Sequence, residues 1–259
     1  MERWDGKSWS IQPIHRFPEG ELSSVSCTSK VFCAAVGSWT EIPDFPLSGR
    51  WNGRVWSFHS NNAGYPVAPA GVSCVSPTAC EGVGSGNFGS GVTPPTVTWH
   101  WNGKGWSEFD DYGDQPDAFL GAVSCTATLT CLAVGNEDSR AIPMSDAASA
   151  LVPTASPAGS VEYELSGVSC AASTACASVG FYQTRYVSFT KYMLVEGWDG
   201  SSWSVRLAGT LGELAGVSCV SPSACTAVGR TPNSAGELVP LVESTIPSAT
   251  RDYAAQRRW

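Results

Sequence analysis

Charged side chains are scarce in this chain, and basic ones are scarcer than acidic ones. Lysine and arginine together number 15 among 259 residues, against 23 aspartates and glutamates, so the formal net charge is −8 at pH 7. Proteins that bind nucleic acids usually present a basic surface to the phosphate backbone. The composition therefore predicts no nucleic-acid partner.

Long apolar runs and helical periodicity are also missing. No stretch approaches the roughly 20 apolar residues that a membrane-spanning helix needs, so we expect no membrane span. No segment repeats its apolar residues at the spacing of an amphipathic helix. Glycine (27), proline (17) and tryptophan (11) are plentiful instead, a composition typical of many short strands joined by turns. The sequence thus predicts an all-β fold.

One fragment returns five times along the chain: Ser-Cys, five residues, Cys, three residues, Gly. The first cysteines of successive copies lie 47, 51, 45 and 49 residues apart, and the copies contain all ten cysteines. A repeat of this length is typical of a solenoid or a propeller. The cysteine pairs are Cys27/Cys33, Cys74/Cys80, Cys125/Cys131, Cys170/Cys176 and Cys219/Cys225.

Each repeat has room for four strands. In the fourth copy, LSGVSC and CASVG flank a tight turn, and KYMLVEGW and SWSVRL flank an Asp-Gly turn. Four antiparallel strands in about 48 residues are the content of one propeller blade. The second turn reads Trp, Asp or Asn, Gly, two residues, Trp, and it begins at Trp4, Trp51, Trp101 and Trp198. Packing across the strand pair is the favoured role of these tryptophans, and a glycan-binding platform is the alternative.

The Asp/Asn-Gly-x-x-Trp turn resembles a degenerate Asp-box, the repeat of sialidase-like propellers. The GVSC…C-x-AVG segment is similar to the disulfide-stapled propeller repeats of secreted bacterial proteins, particularly actinobacterial ones. This resemblance implies a propeller fold. It implies no activity, because no sialidase arginine triad can be matched to residues of this chain.

We predict one domain over 1–259, a five-bladed propeller with four antiparallel strands per blade. The fifth repeat lacks a Trp turn, so we expect the N-terminal strand to complete the last blade and close the ring. In the third blade the expected outer strands are Ala150–Val152 and Ser160–Leu165. The predicted blades span 22–66, 67–118, 119–165, 166–213, and 214–243 together with 1–14, and 245–259 forms a tail.

The cysteines suit disulfides better than metal or redox chemistry. Only three histidines exist, none in register with the repeat, whereas zinc needs four clustered ligands. We therefore predict a disulfide within each of the five pairs. Such bonds persist in oxidising compartments, so we expect a secreted or cell-surface protein. The opening MERWDGKSWS is no signal peptide, so the sequence given does not include an export signal.

The repeats diverge after each repeated glycine, and variable loops on a rigid scaffold often carry binding. Aromatic, carboxylate and arginine side chains there favour a glycan or small polar ligand, with another protein as a possible partner. A calcium site in the acidic segment FDDYGDQPD is a further candidate, although a solvated acidic loop is favoured. The candidate ligand-binding residues are Trp39, Glu41, Asn87, Phe88, Glu137, Arg140, Tyr182, Arg185, Tyr186 and Arg230, and the calcium candidates are Asp110, Asp111 and Asp114.

Catalysis is the alternative to simple binding. The inner strands read SSVSC, GVSC and AVSC, and they carry no acid for a glycosidase pair. A glycosidase or sialidase-like enzyme would have to use loop carboxylates, for which Glu137 and Asp138 are the candidates. We predict a monomeric binding module without a cofactor. The other alternative is an interaction or surface-display domain of a larger secreted protein.

Overall fold

The computed structural model contains strands and turns but no helix among the residues that it describes. Those residues are 1–12, 14, 20–39, 46–60, 67–86, 96–111, 119–127, 130–136, 140–144, 152–155, 157–184 and 190–244. None of their segments forms a helix able to cross a membrane. The predicted all-β class is confirmed.

The strands form antiparallel sheets in a propeller arrangement. A short hairpin, β1 (Glu2–Trp4) and β2 (Trp9–Ile11), comes first. Four blades follow. The first and second blades contain β3 (Gly20–Ser29), β4 (Phe32–Trp39), β5 (Pro46–Trp51) and β6 (Trp56–Ser60), and β7 (Val67–Ser76), β8 (Ala79–Gly86), β9 (Thr96–Trp101) and β10 (Trp106–Asp111), respectively. The third and fourth blades contain β11 (Phe119–Ala127), β12 (Thr130–Asn136), β13 (Arg140–Met144) and β14 (Val152–Pro153), and β15 (Glu162–Ala172), β16 (Ala175–Gln183), β17 (Tyr192–Trp198) and β18 (Trp203–Leu211), respectively. The last sheet has three strands, β19 (Glu213–Ser221), β20 (Ala224–Pro232) and β21 (Leu238–Ser244).

The prediction of five four-stranded blades is wrong, because the structure has four. The fifth repeat is a three-stranded sheet, in which β21 takes the third-strand position beside β20. The N-terminal hairpin pairs with itself and adds no strand to that sheet within the described residues. First strands of successive repeats pack side by side from β3 to β19, but β19 makes no comparable contact with β3 in the described part of the chain.

The outer strands predicted for the third blade are also misplaced. Its third strand is β13, ahead of 150–152, and its fourth is the two-residue β14. The segment 162–165 belongs to β15, the first strand of the next blade. A proline lies in each of these short outer strands, at Pro143 and Pro153, and proline cannot donate to a strand ladder. The missing donors help to explain why this edge is short.

All five predicted disulfides are confirmed: Cys27–Cys33, Cys74–Cys80, Cys125–Cys131, Cys170–Cys176 and Cys219–Cys225. In every repeat the two cysteines lie directly opposite each other on the first two strands. Each bridge therefore closes the hairpin turn between those strands. Five such bridges are characteristic of proteins from an oxidising environment.

The core lies between blades and repeats with them. In each blade the valine three residues after the second cysteine faces the first strand of the next blade. Val83 packs there on Leu120 and Val123, and Val179 packs on Leu214. Both valines have no exposed surface. Apolar burial of this kind stabilises a fold by roughly 25 cal/mol per Å², so each blade is stabilised mainly by its neighbours.

A serine hydroxyl also joins each pair of neighbouring blades. The serine before the first cysteine accepts a hydrogen bond from the N–H of the next blade's first cysteine. These bonds run from Cys74 to Ser26, Cys125 to Ser73, Cys170 to Ser124 and Cys219 to Ser169, at 2.9 to 3.0 Å. The repeated serines therefore fix the register between blades.

Candidate functional site

The Trp turn positions backbone and side chains at one rim of the blades. In the second blade Asn102 Oδ1 accepts hydrogen bonds from the N–H groups of Lys104 and Gly105, at 2.9 and 3.1 Å. Gly103 has φ +90°, which a side chain would strain. In the fourth blade the N–H groups of Ser202 and Ser201 bind Asp199 in the same way and hold its carboxyl pKa at about 2. The expected Asp/Asn-Gly turn is confirmed.

In the first, second and fourth blades the first tryptophan of the turn binds the cysteine hairpin of its own blade. The indole Nε1 of Trp51 donates to the Lys30 carbonyl, that of Trp101 to Pro77 and that of Trp198 to Ser173, each at 3.1 Å. The two tryptophans of the turn pack together with ring centroids 5.7 Å apart in the second blade. These contacts give the tryptophans a structural role, as the sequence favours, and they hold the indoles in fixed places.

A groove with a partly polar lining lies between the first and second blades. Its volume is about 500 Å³. It combines aromatic rings, three basic side chains, hydroxyls and an amide. The residues are Phe32, Trp101 and Trp106; Arg50, His59 and Lys104; Ser48 and Ser57; and Asn52, with Ala34, Gly49 and Gly105 completing the lining. Convergent polar groups over an aromatic surface are typical of small-molecule sites.

Arg50 is the central basic group of the groove. Its guanidinium carbon lies 5.8 Å from the Phe32 ring centroid and 6.0 Å from that of Trp101. Both distances are within the range of a cation–π contact. No carboxylate is found among the described residues that line the groove, so Arg50 and Lys104 contrast with the net negative charge of the whole protein. The arrangement can bind a polar or anionic group above an aromatic floor.

The groove exists because one pair of positions differs between blades. In the first blade Ala34 lies opposite Arg50, and the small alanine leaves space in front of the second blade. The equivalent residues of the second blade, Glu81 and His100, form an ion pair with Nδ1 and Oε1 2.7 Å apart. Repeat-based sequence reasoning missed this site, because it treated the Trp-turn rim as structural. The available signal was an arginine before the second Trp turn.

Few of the predicted site residues fall within the described part of the chain. Trp39, at the end of β4, is partly buried, and its indole N–H has no hydrogen-bond partner among the residues that the structure describes. Tyr182 is 7% exposed, and its ring lies 5.4 Å from that of Tyr192. Arg230 pairs with Glu213, whose other oxygen lies 2.7 Å from Lys191 Nζ. None of the three lines the groove.

The other predicted residues cannot be placed. Arg140, Asp110 and Asp111 have described backbones, on β13 and β10, but not described side chains. Within the described residues no group of three or more histidines, cysteines or acids could hold a metal ion. Outside the described residues lie Glu41, Asn87, Phe88, Asp114, Glu137, Asp138, Arg185 and Tyr186.

One carboxyl group is buried away from the groove. Glu196, in β17, has no exposed surface, and within the described residues neither carboxyl oxygen meets the criteria of a hydrogen bond. Burial raises its pKa to about 8, and the nearby Ala155 backbone N–H offsets only part of that effect. The carboxyl is therefore mainly protonated at neutral pH. Its place between blades suits an effect on stability rather than on a ligand.

No protein-family model matches this chain, and no curated protein matches it. Solved structures do. YCF48 bound to a D1 peptide aligns with TM-score 0.52 and 13% identity, covering 87% of this chain and 66% of that one. The SapL1 lectin with α-methyl fucoside aligns with TM-score 0.58 and 8% identity, covering 96% and 88%. These likenesses establish the propeller fold alone.

The first of these proteins is longer, and this chain spans just under two thirds of it. A neuraminidase-like protein of subtype N11 from a flat-faced bat influenza virus aligns at TM-score 0.35 and 10% identity, covering 91% of both chains. A likeness of that size supports no argument about the groove.

Proposed function

We propose that this chain is an extracellular binding module that recognises carbohydrate through the groove between its first and second blades. The observation that carries the proposal is that Arg50, which lies over the Trp101 ring, and Lys104 line one cavity of about 500 Å³ together with the packed Trp101/Trp106 pair. A sugar ring packs its C–H face on an indole and offers its hydroxyls, or a carboxylate, to nearby donors. A groove with both features fits such a ligand.

Two further facts support the proposal. The propeller fold is used for sugar binding by a lectin of similar structure, which holds α-methyl fucoside. The five disulfides suit an extracellular or otherwise oxidising location. The described lining residues include no carboxylate, so hydrolysis would need acids from elsewhere, such as Glu137 and Asp138. Binding is therefore the simpler function for this site.

The test is a glycan array followed by calorimetry on the best saccharide. Replacing Arg50 by Gln removes the central cation, and we expect the dissociation constant to rise roughly tenfold or more, the loss of one charged hydrogen bond. Arg54→Gln is the matched control, because Arg54 is exposed in the same Trp turn but does not line the groove. It should leave the affinity unchanged.

Three results would overturn the proposal. One is an array without any saccharide ligand. Another is a saccharide that binds Arg50→Gln as tightly as the wild type but does not bind Trp39→Ala. That result would place the site on the variable loops after the repeated glycines, as predicted from the sequence. Selective binding of peptides in place of saccharides would also contradict it, since the similar YCF48 structure contains a peptide.

A further inference from the structure

The N-terminal hairpin occupies the outer half of a blade position. Arg3 lies with its guanidinium carbon 5.3 Å from the Trp51 ring centroid, as Arg50 lies 6.0 Å from that of Trp101 in the next blade. Trp4 and Trp9 pack at 5.7 Å, the same separation as Trp101 and Trp106. β1 and β2 therefore correspond to the third and fourth strands of a blade that precedes β3.

The inner half of that blade position is a groove. It has a volume of about 640 Å³ and a largely apolar lining between β1 and β3. Its walls include Glu2 and Trp4 on one side and Val25 and Cys27 on the other. In each of the four blades, the first two strands fill the equivalent space. β1 pairs only with β2 among the described residues, so its inner edge is open.

Val25 shows what this position lacks. Its equivalents Val72, Val123 and Val168 are 5 to 8% exposed, because the preceding blade covers them, whereas Val25 is 55% exposed. Each of these three valines is covered by the valine that lies three residues after the second cysteine of the preceding blade. Val25 is therefore a ready contact for one more such valine.

Two hydrogen-bond donors are also left at the groove. The Cys27 N–H donates to no serine hydroxyl among the described residues, although the N–H of each of its four equivalents donates to one. Trp4 is 50% exposed, against 5% for Trp51 and 8% for Trp198. Its indole N–H donates to no hairpin carbonyl in the described part of the chain, whereas those of Trp51 and Trp198 do. Both missing acceptors are found in the repeat's own cysteine hairpin.

We propose that this groove is a docking site for a disulfide-bonded β-hairpin of the repeat's own type, supplied by a partner chain that carries the repeat. Its second strand pairs with the open edge of β1, a known mode of recognition. The valine three residues after its second cysteine covers Val25. The hydroxyl of the serine before its first cysteine accepts a hydrogen bond from the Cys27 N–H, and a carbonyl in its turn accepts one from the Trp4 indole N–H.

The chain's own fifth hairpin is not the occupant in this structure. The third-strand place beside β20 is filled by β21, with Glu243 opposite Ala227 and Ser244 opposite Thr226. Those are the positions that Glu2 and Arg3 would take. In a second copy of the chain the fifth hairpin is paired with β21 in the same way. The occupant must therefore be a hairpin whose second strand has a free edge for β1.

The test uses a synthetic, oxidised peptide with the sequence of residues 165–181, LSGVSCAASTACASVGF, which contains the fourth cysteine hairpin. We expect it to bind the intact protein and to quench its tryptophan fluorescence. Val25→Asp should weaken binding roughly tenfold or more, because a buried charge opposes the contact. Val55→Asp is the matched control, since Val55 is 49% exposed and lies outside the groove lining.

A second peptide checks the same contact from the other side. Asp in place of its Val179 should abolish binding, whereas Asp in place of Ala171, whose equivalent Val220 is 88% exposed, should leave binding unchanged. The proposal is overturned if the oxidised peptide does not bind, or if Val25→Asp binds it as well as the wild type. Self-association of the chain that the peptide cannot compete away would also overturn it, because a second copy would then occupy the groove.

Discussion

At the residue scale, the groove depends on side chains that alter a repeated framework. Ala34 and Arg50 stand where the second blade has Glu81 and His100, and both pairs face the following blade. The backbone at these positions is the same, so the difference lies in side-chain volume and charge. The groove that we propose as a ligand site therefore depends on one small residue and one cation.

Replacing Ala34 by Glu should close the groove. The new carboxylate would lie opposite Arg50 on the neighbouring strand, as Glu81 lies opposite His100, and it would both fill the space and neutralise the cation. We expect saccharide binding to be lost while the melting temperature stays near that of the wild type. Calorimetry and thermal unfolding measure the two effects. Retained affinity would show that the ligand does not enter between these residues.

Glu196 predicts how stability depends on pH. Its pKa rises from 4.5 to about 8 on folding, because burial opposes ionisation. Below about pH 4.5 the carboxyl is protonated in both the folded and the unfolded chain, and Glu196 does not lower the free energy of unfolding. As the pH rises towards 8 the free energy of unfolding falls, because the unfolded chain releases this proton at a lower pH than the folded one. Glu196→Gln should remove that loss, a gain on the order of 4 kcal/mol at pH 8 and almost none at pH 4.

Urea unfolding of wild type and variant at several pH values measures this gain. Glu243→Gln is the matched control, because Glu243 holds the equivalent third-strand position in the fifth repeat but is only partly buried. A Glu196→Gln protein with the pH profile of the wild type would contradict the assignment. Equal effects of the two substitutions would contradict it too.

At the scale of elements, the cysteine hairpin and the Trp turn act together. The indole of the turn donates to the carbonyl three residues after the first cysteine in the first, second and fourth blades. The disulfide and the indole thus restrain the same hairpin turn. This coupling explains why both motifs occur together in these three blades.

The serine hydroxyls between blades can be tested one by one. Ser124→Ala leaves the Cys170 N–H without the acceptor that it now has at 2.9 Å, and such a loss costs about 1 to 3 kcal/mol. Ser218→Ala is the matched control, because the equivalent Ser218 is exposed and binds no following blade in the described residues. Urea unfolding should show a loss for the first variant alone. A similar loss for Ser218→Ala would mean that the last repeat packs against another blade.

At the scale of the whole molecule, much of the fold could be predicted from the repeat. The cysteine spacing indicated the disulfides and the first hairpin of each repeat, and the Asp/Asn-Gly turn indicated the second hairpin in the first, second and fourth blades. These features are local, since they join residues close in sequence. The third blade lacked the Trp turn, and there the strand prediction was wrong, because proline-containing outer strands leave no clear alternation.

Blade number and site were beyond reach for a different reason. Completing the last blade with residues 1–14 required the N-terminal strand to add to the sheet of the fifth repeat, but within the described residues β2 pairs with β1 and adds to no other sheet. Long-range pairing of this kind leaves no local pattern. The groove likewise depends on how Ala34 and Arg50 in one blade face Trp101 in the next. A repeat motif emphasises what blades share, whereas this site lies where they differ.

Nitrogen-15 NMR of the tryptophan side chains tests the central claim most directly. The protein is titrated with the saccharide that binds most tightly on a glycan array, and the indole N–H signals are followed. The account predicts that Trp101 and Trp106 shift on binding, while Trp39 and Trp203 do not. Shifts at Trp39 with Trp101 and Trp106 unchanged would contradict it, and so would a titration in which no indole signal moves.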